Sequence, residues 1–502
     1  MPEYARELDE ESFVRSVEAF AGIVGWLRSA ESAELTHAQL EEQLEARNRE
    51  MMRLLEQDHL DLRAAREQRQ ERVTGPEGIA RTRAEAGHCR SLSSVFGPVT
   101  VSRIAYRAPG APNVHPADAQ LNLPPEKHSH GLGRLLAIEA PRGSVAQACA
   151  AVERATGVRV GTRQATGLIA RAAADFAGFY AGREHRPPPR AAPGTVLAVS
   201  CDAKGIRVLP GQLRPEAARK AARSVPRQEG RLSRGEVATR KRMAEVGAVF
   251  DVIPAPRTAA DIITGPRPRA RPRPAAPRAT SKWVTASVAT DAAAVVAAVF
   301  AEADRRDPGH ERTWIALADG NVHQLARIRA EARARGVTIP ILCDLIHVIE
   351  HLWDAAWCLF PQASPGAAPW VRARARAILR GHARPVAAAI RDAITANGQL
   401  TAAQRRQAST AADYLDAKAP YLDYPTALAA GWPISSGVIE GTCRHLVKDR
   451  MDITGARWGI DTAEAILKLR ALHANGDFDA YWTYHLQQER QRNYPHTDQL
   501  AA

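Results

Sequence analysis

Three acidic residues, far apart in a chain of 502 residues, stand where their chemistry could be used. Asp202 follows the apolar run Val196-Leu197-Ala198-Val199 in the stretch TVLAVSCDAKGI. Such a run suits a strand covered on both faces, so the carboxylate falls where the strand gives out. Asp319 ends a second run, Thr313 to Ala318, just before Gly320. Glu440 lies at the head of an amphipathic segment, SSGVIEGTCRHLVKDR, with Ser435 or Ser436 as its cap. Carboxylate oxygens are the ligands that hard divalent cations prefer. Two such ions about 4 Å apart can activate a hydroxyl, stabilise a leaving oxygen and neutralise a phosphate. Phosphodiester hydrolysis and strand transfer need all three. Two neighbouring strands ending in aspartates, with a helix delivering a glutamate, would build that centre around Mg2+ or Mn2+. Many strands end in Asp before a glycine turn, so the signal is the conjunction of the three and no one of them alone.

The elements around them must form a sheet with helices on its faces. Ala244 to Ile253 reads as a strand, and so does Lys282 to Ala289. Helix Asp291 to Arg305, strand Thr313 to Ala318, helix Val322 to Arg335, strand Val337 to Leu342 and helix Leu345 to Leu359 then alternate. Antiparallel-style strands followed by βαβα describe a mixed α/β sheet. Residues 365–430 carry only helical patterns and read as an all-helical insertion.

Upstream, residues 11–72 are helical in period. Phe13, Val17, Phe20, Val24 and Leu27 share one helix face, with Ile23 and Trp26 beside it, and Leu40, Leu44, Met51, Leu54 and Leu55 recur at near-heptad spacing. This is a helical hairpin with its own small core, or a coiled coil that pairs two chains. Residues 90–107 alternate as a hairpin around Gly97-Pro98, and the Pro-rich run from Ala108 to Pro125 reads as a loop. Gly133 to Ala140, Val145 to Ala155 behind the cap Ser144, and a segment from about Thr162 to Phe176 are helices. The short turn Thr156-Gly157-Val158 makes the last two a helix-turn-helix pattern. Arg163 and Gln164 would reach base edges and Arg159 a phosphate, unless the three helices are a plain packing module.

Lys and Arg outnumber Asp and Glu, 68 to 55, for a net charge of +13, which favours a polyanionic partner. Much of the excess is clustered between Arg214 and Arg242 and in GPRPRARPRPAAPR, Gly265 to Arg278. Recurrent proline bars the second from helix or central strand, so it is an extended linker or a phosphate-binding arm. Six scattered cysteines without a CxxC argue against a disulfide framework or cysteine zinc cage and fit a reducing compartment. The acidic amino terminus lacks the apolar core of a secretory signal, and no window is apolar enough for a membrane span. A cytoplasmic protein is expected.

The chain resembles bacterial insertion-sequence transposases of the DDE type, most closely the ISKra4 family, which is related to Mutator-like transposases. The stretches that carry the resemblance are RSLSSVFGPVTVSRIAYRAPG, LNLPPEKHSHGLGRLLAIEAPRGS, KRMAEVGAVFDVIP, WIALADGN, CDLIHVIEHLWDAAWCLF and ISSGVIEGTCRHLVKDRMDITGARW. They spread from about residue 85 to 475, and the last two are the most distinctive. The resemblance implies a ribonuclease-H-like catalytic domain that cuts and joins transposon ends with Mg2+ or Mn2+. It places the triad at Asp202, Asp319 and Glu440. It also implies an Asp-x-x-His signature after the second aspartate, matched by Asp344-Leu345-Ile346-His347. His347 is then a phosphate contact or proton carrier, or else a hydrogen-bonded helix histidine. Asp344 also ends a strand and competes with Asp319 as the second ligand; the order of motifs favours Asp319. The partner is double-stranded DNA, as terminal inverted repeats and target, with a homodimer or higher oligomer assembled on it.

Lys204, two residues after Asp202, and Arg444 and Lys448, on the Glu440 helix face, suit phosphate contacts, though a solvated face reads equally well. Trp458 would stack on an unpaired base or belong to the core. The organisation expected is a helical region (1–80), a hairpin plus helix-turn-helix region (81–182), a Pro-rich linker (183–194), a first catalytic part (195–360), a helical insertion (361–430), a last catalytic part (431–475) and a polar tail (476–502). Two other functions compete. One is a DNA-binding protein of transposon descent that no longer cuts. The other reads His347-Val-Ile-Glu350-His351 as HxxEH, with the two histidines one helical turn apart gripping Zn2+, Glu350 as base and Glu440 as third ligand.

Overall fold

The computed structural model describes residues 12–185, 191–223, 241–264, 274–361, 363–453 and 456–495. Most of the expected linker (186–190), most of the basic stretch after Arg223 and the arginine-rich run 265–273 lie outside the described residues. The chain divides into two compact units, residues 1–181 with 477–502, and residues 182–476. Among the described residues no helix is long and apolar enough to cross a membrane.

The first unit opens with helix α1, Val14–Leu27, and helix α2, His37–Ala65. Their association is not the apolar hairpin the periodicity suggests. Helix α1 buries only Ser16, while Val17 is 62% and Phe20 57% exposed. It is tied to α2 by polar groups: Arg15 Nε donates to Asp58 at 2.7 Å, and Asp58, fully buried, also accepts the Ser16 amide at 3.1 Å. Strands β1, Arg83–Ser94, and β2, Gly97–Ala108, form an antiparallel hairpin whose two-residue turn is Val95-Phe96. Gly97-Pro98 belongs to the second strand, paired with Ser94 and Ser93, and is not the turn. The Pro-rich segment beyond it is not all loop: strand β3, Ala111–Val114, adds to the sheet, and Pro116–Gln120 is a short helix.

Helices α3, His130–Glu139, α4, Val145–Thr156, and α5, Thr162–Ala172, pack on one another. Ser144 and Gln147 cap α4 reciprocally. Gly157 closes it at φ 73°, a left-handed conformation that costs glycine little. The third helix stops earlier than its pattern suggests, and Phe176–Ala181 follows as a separate helix α6. The expected polar tail is instead a helix, Phe478–Asn493, and it belongs to this unit. Tyr481 donates to the Ala172 carbonyl at 2.7 Å, His485 bonds Asp175 at 2.7 Å, and the Leu486 carbonyl accepts from Asn122 at 3.0 Å.

The second unit is built on five strands: β4, Val196–Arg207; β5, Lys241–Ile253; β6, Arg278–Ser287; β7, Trp314–Ala318; and β8, Ile341–Cys343. Their order is β8-β7-β4-β5-β6. The first three in sequence are antiparallel, and β7 and β8 lie parallel to β4. The first half of β4 and all of β7 are buried, as apolar runs with both faces covered require. Each fully buried Leu, Ile or Val there stabilises the sheet by about 2 kcal/mol. Strand β6 starts and ends before the expected 282–289, and the strand expected over 337–342 is only three residues, ending at Cys343. Helices α7, Ala292–Arg306, α8, Val322–Ala334, and α9, Leu345–Leu359, connect and follow the parallel strands. The helical insertion is present as α10, Ala367–Leu379, α11, Ala383–Ala396, and α12, Ala402–Lys418.

Candidate active site

Strand register brings the two aspartates together. Strands β4 and β7 run parallel, with Ser200 beside Leu317 as the last paired residues. Asp202 and Asp319 each stand two residues further on, so alternation sends both side chains to one face at the same edge. Asp202 accepts from its neighbour's amide, Ala203, at 2.7 Å and from the Cys443 thiol at 3.3 Å. Asp319 accepts from the Asn321 amide at 2.7 Å as the chain turns at Gly320, φ 93°. Burial holds the Asp202 carboxyl above the usual carboxylate range, and the negative charge of Asp319 adds to the shift.

Glu440 sits on the helix Gly437–Thr442, which continues as a π-helical segment, Cys443–Lys448. Such widened turns re-aim side chains, and this one places Cys443 against Asp202. Ser436 precedes the helix but does not cap it with its side chain. Its hydroxyl lies instead between Asp344 and Glu440, within hydrogen-bond reach of both. One hydroxyl proton cannot serve two carboxylates. The Glu440 carboxyl is accordingly raised, first by burial and then by its hydrogen bond with Asp344.

Asp344 is committed elsewhere. It is fully buried and caps α9 by accepting the Ile346 amide at 2.7 Å. Its other oxygen accepts the Ser436 amide at 3.1 Å and the Ser436 hydroxyl. It joins the start of α9 to the start of the Glu440 helix, and Asp319, which makes no such tie, is the freer ligand. His347, one turn into α9, bonds Glu350 at 2.9 Å. Burial favours its neutral ring, but that bond and the charges of Asp344, Glu350 and Asp319 outweigh it and raise the imidazole above its ordinary value.

Asp202, Asp319 and Glu440 make no ion pair with any described residue. Asp202 and Asp319, half-buried and close enough to repel each other, are donors a hard cation fits, while the exposed Glu440 interacts with Asp344 and His347 rather than with either of them. Among the described residues, the one group of three with ligand atoms all within 4.8 Å is elsewhere, Asp175, His485 and Glu489 in the first unit. Its charges are already answered: Arg171 and Arg492 both bond Glu489, and Arg492 also bonds Asp175 at 2.5 Å. Among the described residues the HxxEH histidines belong to no such group, and His351 stacks on Tyr414 with ring centroids 3.8 Å apart.

The cationic candidates divide. Lys204, Arg444 and Lys448 are exposed, with Arg444 3.6 Å from Asp449. Arg163 and Gln164 are exposed at the front of α5, while exposed Arg159 bonds Glu153 at 2.6 Å. Trp458 is corrected to core: it is 7% exposed, its indole donates to the Met451 carbonyl at 3.1 Å, and Arg450 covers its ring at 4.6 Å. Sequence reasoning missed Cys443 and the Ser436 bridge. The signal for Cys443 was its position three residues after Glu440, one turn along the same helix face.

A pH dependence follows from the raised acids. The folded chain holds protons on Asp202 and Glu440 to higher pH than the unfolded chain does. Their contribution to stability is therefore full below the unfolded values and lost as pH rises through the folded ones. A divalent cation held there would bind the ionised forms and work the other way. The Mg2+-induced rise in melting temperature should grow from about pH 5 to about pH 8. Asp202→Asn should remove that rise and make the metal-free melting temperature higher and less dependent on pH, read by differential scanning fluorimetry.

The chain matches no family model and no curated protein.

Proposed function

We propose that this protein is a DDE transposase of an insertion sequence, which binds terminal inverted repeats and cuts and joins their ends with Mg2+ or Mn2+. The observation that carries the reading is the convergence of Asp202 and Asp319 on adjacent parallel strand ends, with Glu440 reaching Asp344 and His347 beside them. The order β8-β7-β4-β5-β6, with the first acid on the central strand, supports the ribonuclease-H-like fold that the resemblance implies.

Asp202, Asp319 and Glu440 would hold the metal. When bound, such ions lower the pKa of an attacking water or hydroxyl and neutralise phosphate charge. Cys443 and the Ala203 amide fix the Asp202 carboxylate, and Ser436 fixes Glu440. His347, protonated to higher pH than usual, is placed to hydrogen-bond a phosphate oxygen. Lys204, Arg444 and Lys448 contact the backbone of the DNA. Helices α3 to α5 act as a helix-turn-helix, with Arg163 and Gln164 on base edges and Arg159 on a phosphate once it leaves Glu153. The protein works in the cytoplasm as a homodimer or higher oligomer on DNA.

The test is a supercoiled plasmid carrying the inverted repeats that flank the reading frame. Full-length protein should nick at the repeat ends in Mg2+ and not in EDTA. Arg163→Ala should weaken repeat binding about tenfold to a hundredfold in a gel-shift assay. Binding without nicking in either metal would leave a DNA-binding protein of transposon descent.

A further inference from the structure

Beside the acids lies a pocket of about 290 Å3 that the proposed chemistry does not use. Asp202 and Asp319 form one side of it. The other polar walls are Glu245 from β5, Asn321, which caps α8, and His323, Gln324 and Arg327 of α8. Val295 and Val296 of α7 give it an apolar wall, and Met243, 44% exposed, stands at its rim.

Strand alternation puts this pocket across the sheet edge from Glu440. Asp202 turns toward Cys443. Ala203, paired with Glu245 in the β4–β5 ladder, turns the other way. That is the α7 side, because a side chain at Gly247, two residues on from Glu245, would strike Val299 of α7. The pocket is therefore within reach of the nucleotide next to the phosphate that the acids would hold.

Its polar groups are unspent. Neither the Arg327 guanidinium nor the Glu245 carboxylate makes a hydrogen bond or an ion pair within 4.0 Å with a described residue, although the charges of Arg327 and Arg214 act on Glu245 at longer range. Gln324 uses its amide nitrogen on the Cys201 carbonyl at 2.5 Å, and its Oε1 is buried with no partner. Beside the apolar wall, and away from the aspartates and from Asn321, whose Oδ1 is spent capping α8, Arg327, Glu245 and Gln324 present one planar donor fork and two acceptors. Unpaired buried acceptors are costly, so a ligand that donates to them gains accordingly.

Guanine is the base that fits this set. Its N7 and O6 are adjacent acceptors that an Arg fork takes together. Its N1–H and N2–H are adjacent donors that a carboxylate takes together. Adenine reverses the pattern on its pairing edge, thymine has one ring donor between two acceptors, and cytosine, whose N3 and O2 could take the fork, has only its N4 amino group to donate, on the same edge. The thioether of Met243 suits the face of such a ring.

We propose that the pocket formed by Glu245, Gln324 and Arg327 binds a guanine base swung out of the duplex beside the scissile phosphate. The arrival of that base rests on the nuclease reading; the binding itself does not. The probe is each free deoxynucleoside monophosphate with the full-length protein in EDTA, followed by saturation-transfer NMR at the base protons. dGMP should bind at least about tenfold more tightly than dAMP, dCMP or dTMP, with saturation reaching guanine H8. Arg327→Ala and Glu245→Gln should each weaken it about tenfold, with melting temperatures unchanged. Arg327→Lys should weaken it too, since a point charge does not replace the fork. Equal binding of all four nucleotides, or full binding by Arg327→Ala or Arg327→Lys, overturns the proposal. Wild-type cleavage with no dGMP binding sinks the pocket alone. dGMP binding by a protein that never cleaves sinks the nuclease reading and leaves the pocket.

Discussion

If the protein is the metal-dependent transposase proposed, Glu440→Gln should lower DNA cleavage in Mg2+ by about a thousandfold or more while leaving repeat binding intact. The magnitude is that of several kcal/mol of charge stabilisation lost from the transition state when a metal ligand is removed. The substitution keeps the side chain's volume and can still accept from the Ser436 hydroxyl, which lies 3.1 Å from the carboxylate. It also removes the charge that raises the proton affinity of its neighbours, so the fold should not weaken. Two assays on the same preparation decide: nicking of supercoiled repeat DNA, and gel shift with the repeat alone. Cleavage at the wild-type rate would remove Glu440 from the site. Loss of both activities would point to a folding defect, which the melting curve would reveal.

Asp344→Ala should cost the second unit about 2 kcal/mol. A fully buried carboxylate is replaced by a methyl, and two amides, of Ile346 and Ser436, lose their acceptor, while the Ser436 hydroxyl keeps Glu440. An N-cap alone is worth about 1 kcal/mol, and each buried donor left unpaired adds about as much. Calorimetry on the whole chain should show the transition of residues 182–476 moved down, with that of the first unit unchanged. The same variant decides between the two candidate second ligands. If Asp344→Ala melts like the wild type yet cannot cleave, while Asp319→Asn cleaves, the assignment of Asp319 is wrong.

What could be read from the sequence depended on how local its cause was. The acids at the ends of β4 and β7 were legible because apolar runs covered on both faces are confined to buried strands. Glycine at the end of α4 and serine at its start likewise act within one turn of chain. The role of Asp344 was not legible. A strand-terminal aspartate is a ligand or a cap depending on what packs against it, and Ser436 arrives from 92 residues away. The apolar face of α1 misled for the same reason: a period of 3.6 shows which face is apolar, not whether anything covers it. Trp458 was a choice between stacking and burial that only the surrounding core could make. The terminal helix was missed because its residues are mostly polar, and its anchors Tyr481, His485 and Glu489 are buried through hydrogen bonds and ion pairs.

That terminal helix orders events during synthesis. Residues 12–181 are made before residues 182–476, so the surfaces that Tyr481, His485 and Leu486 cover stay wet until Phe478–Asn493 emerges, about 300 residues later. The unit begun first is finished last. Translation products that stop before Phe478 thus carry α3, α4 and α5 without the helix that packs on them.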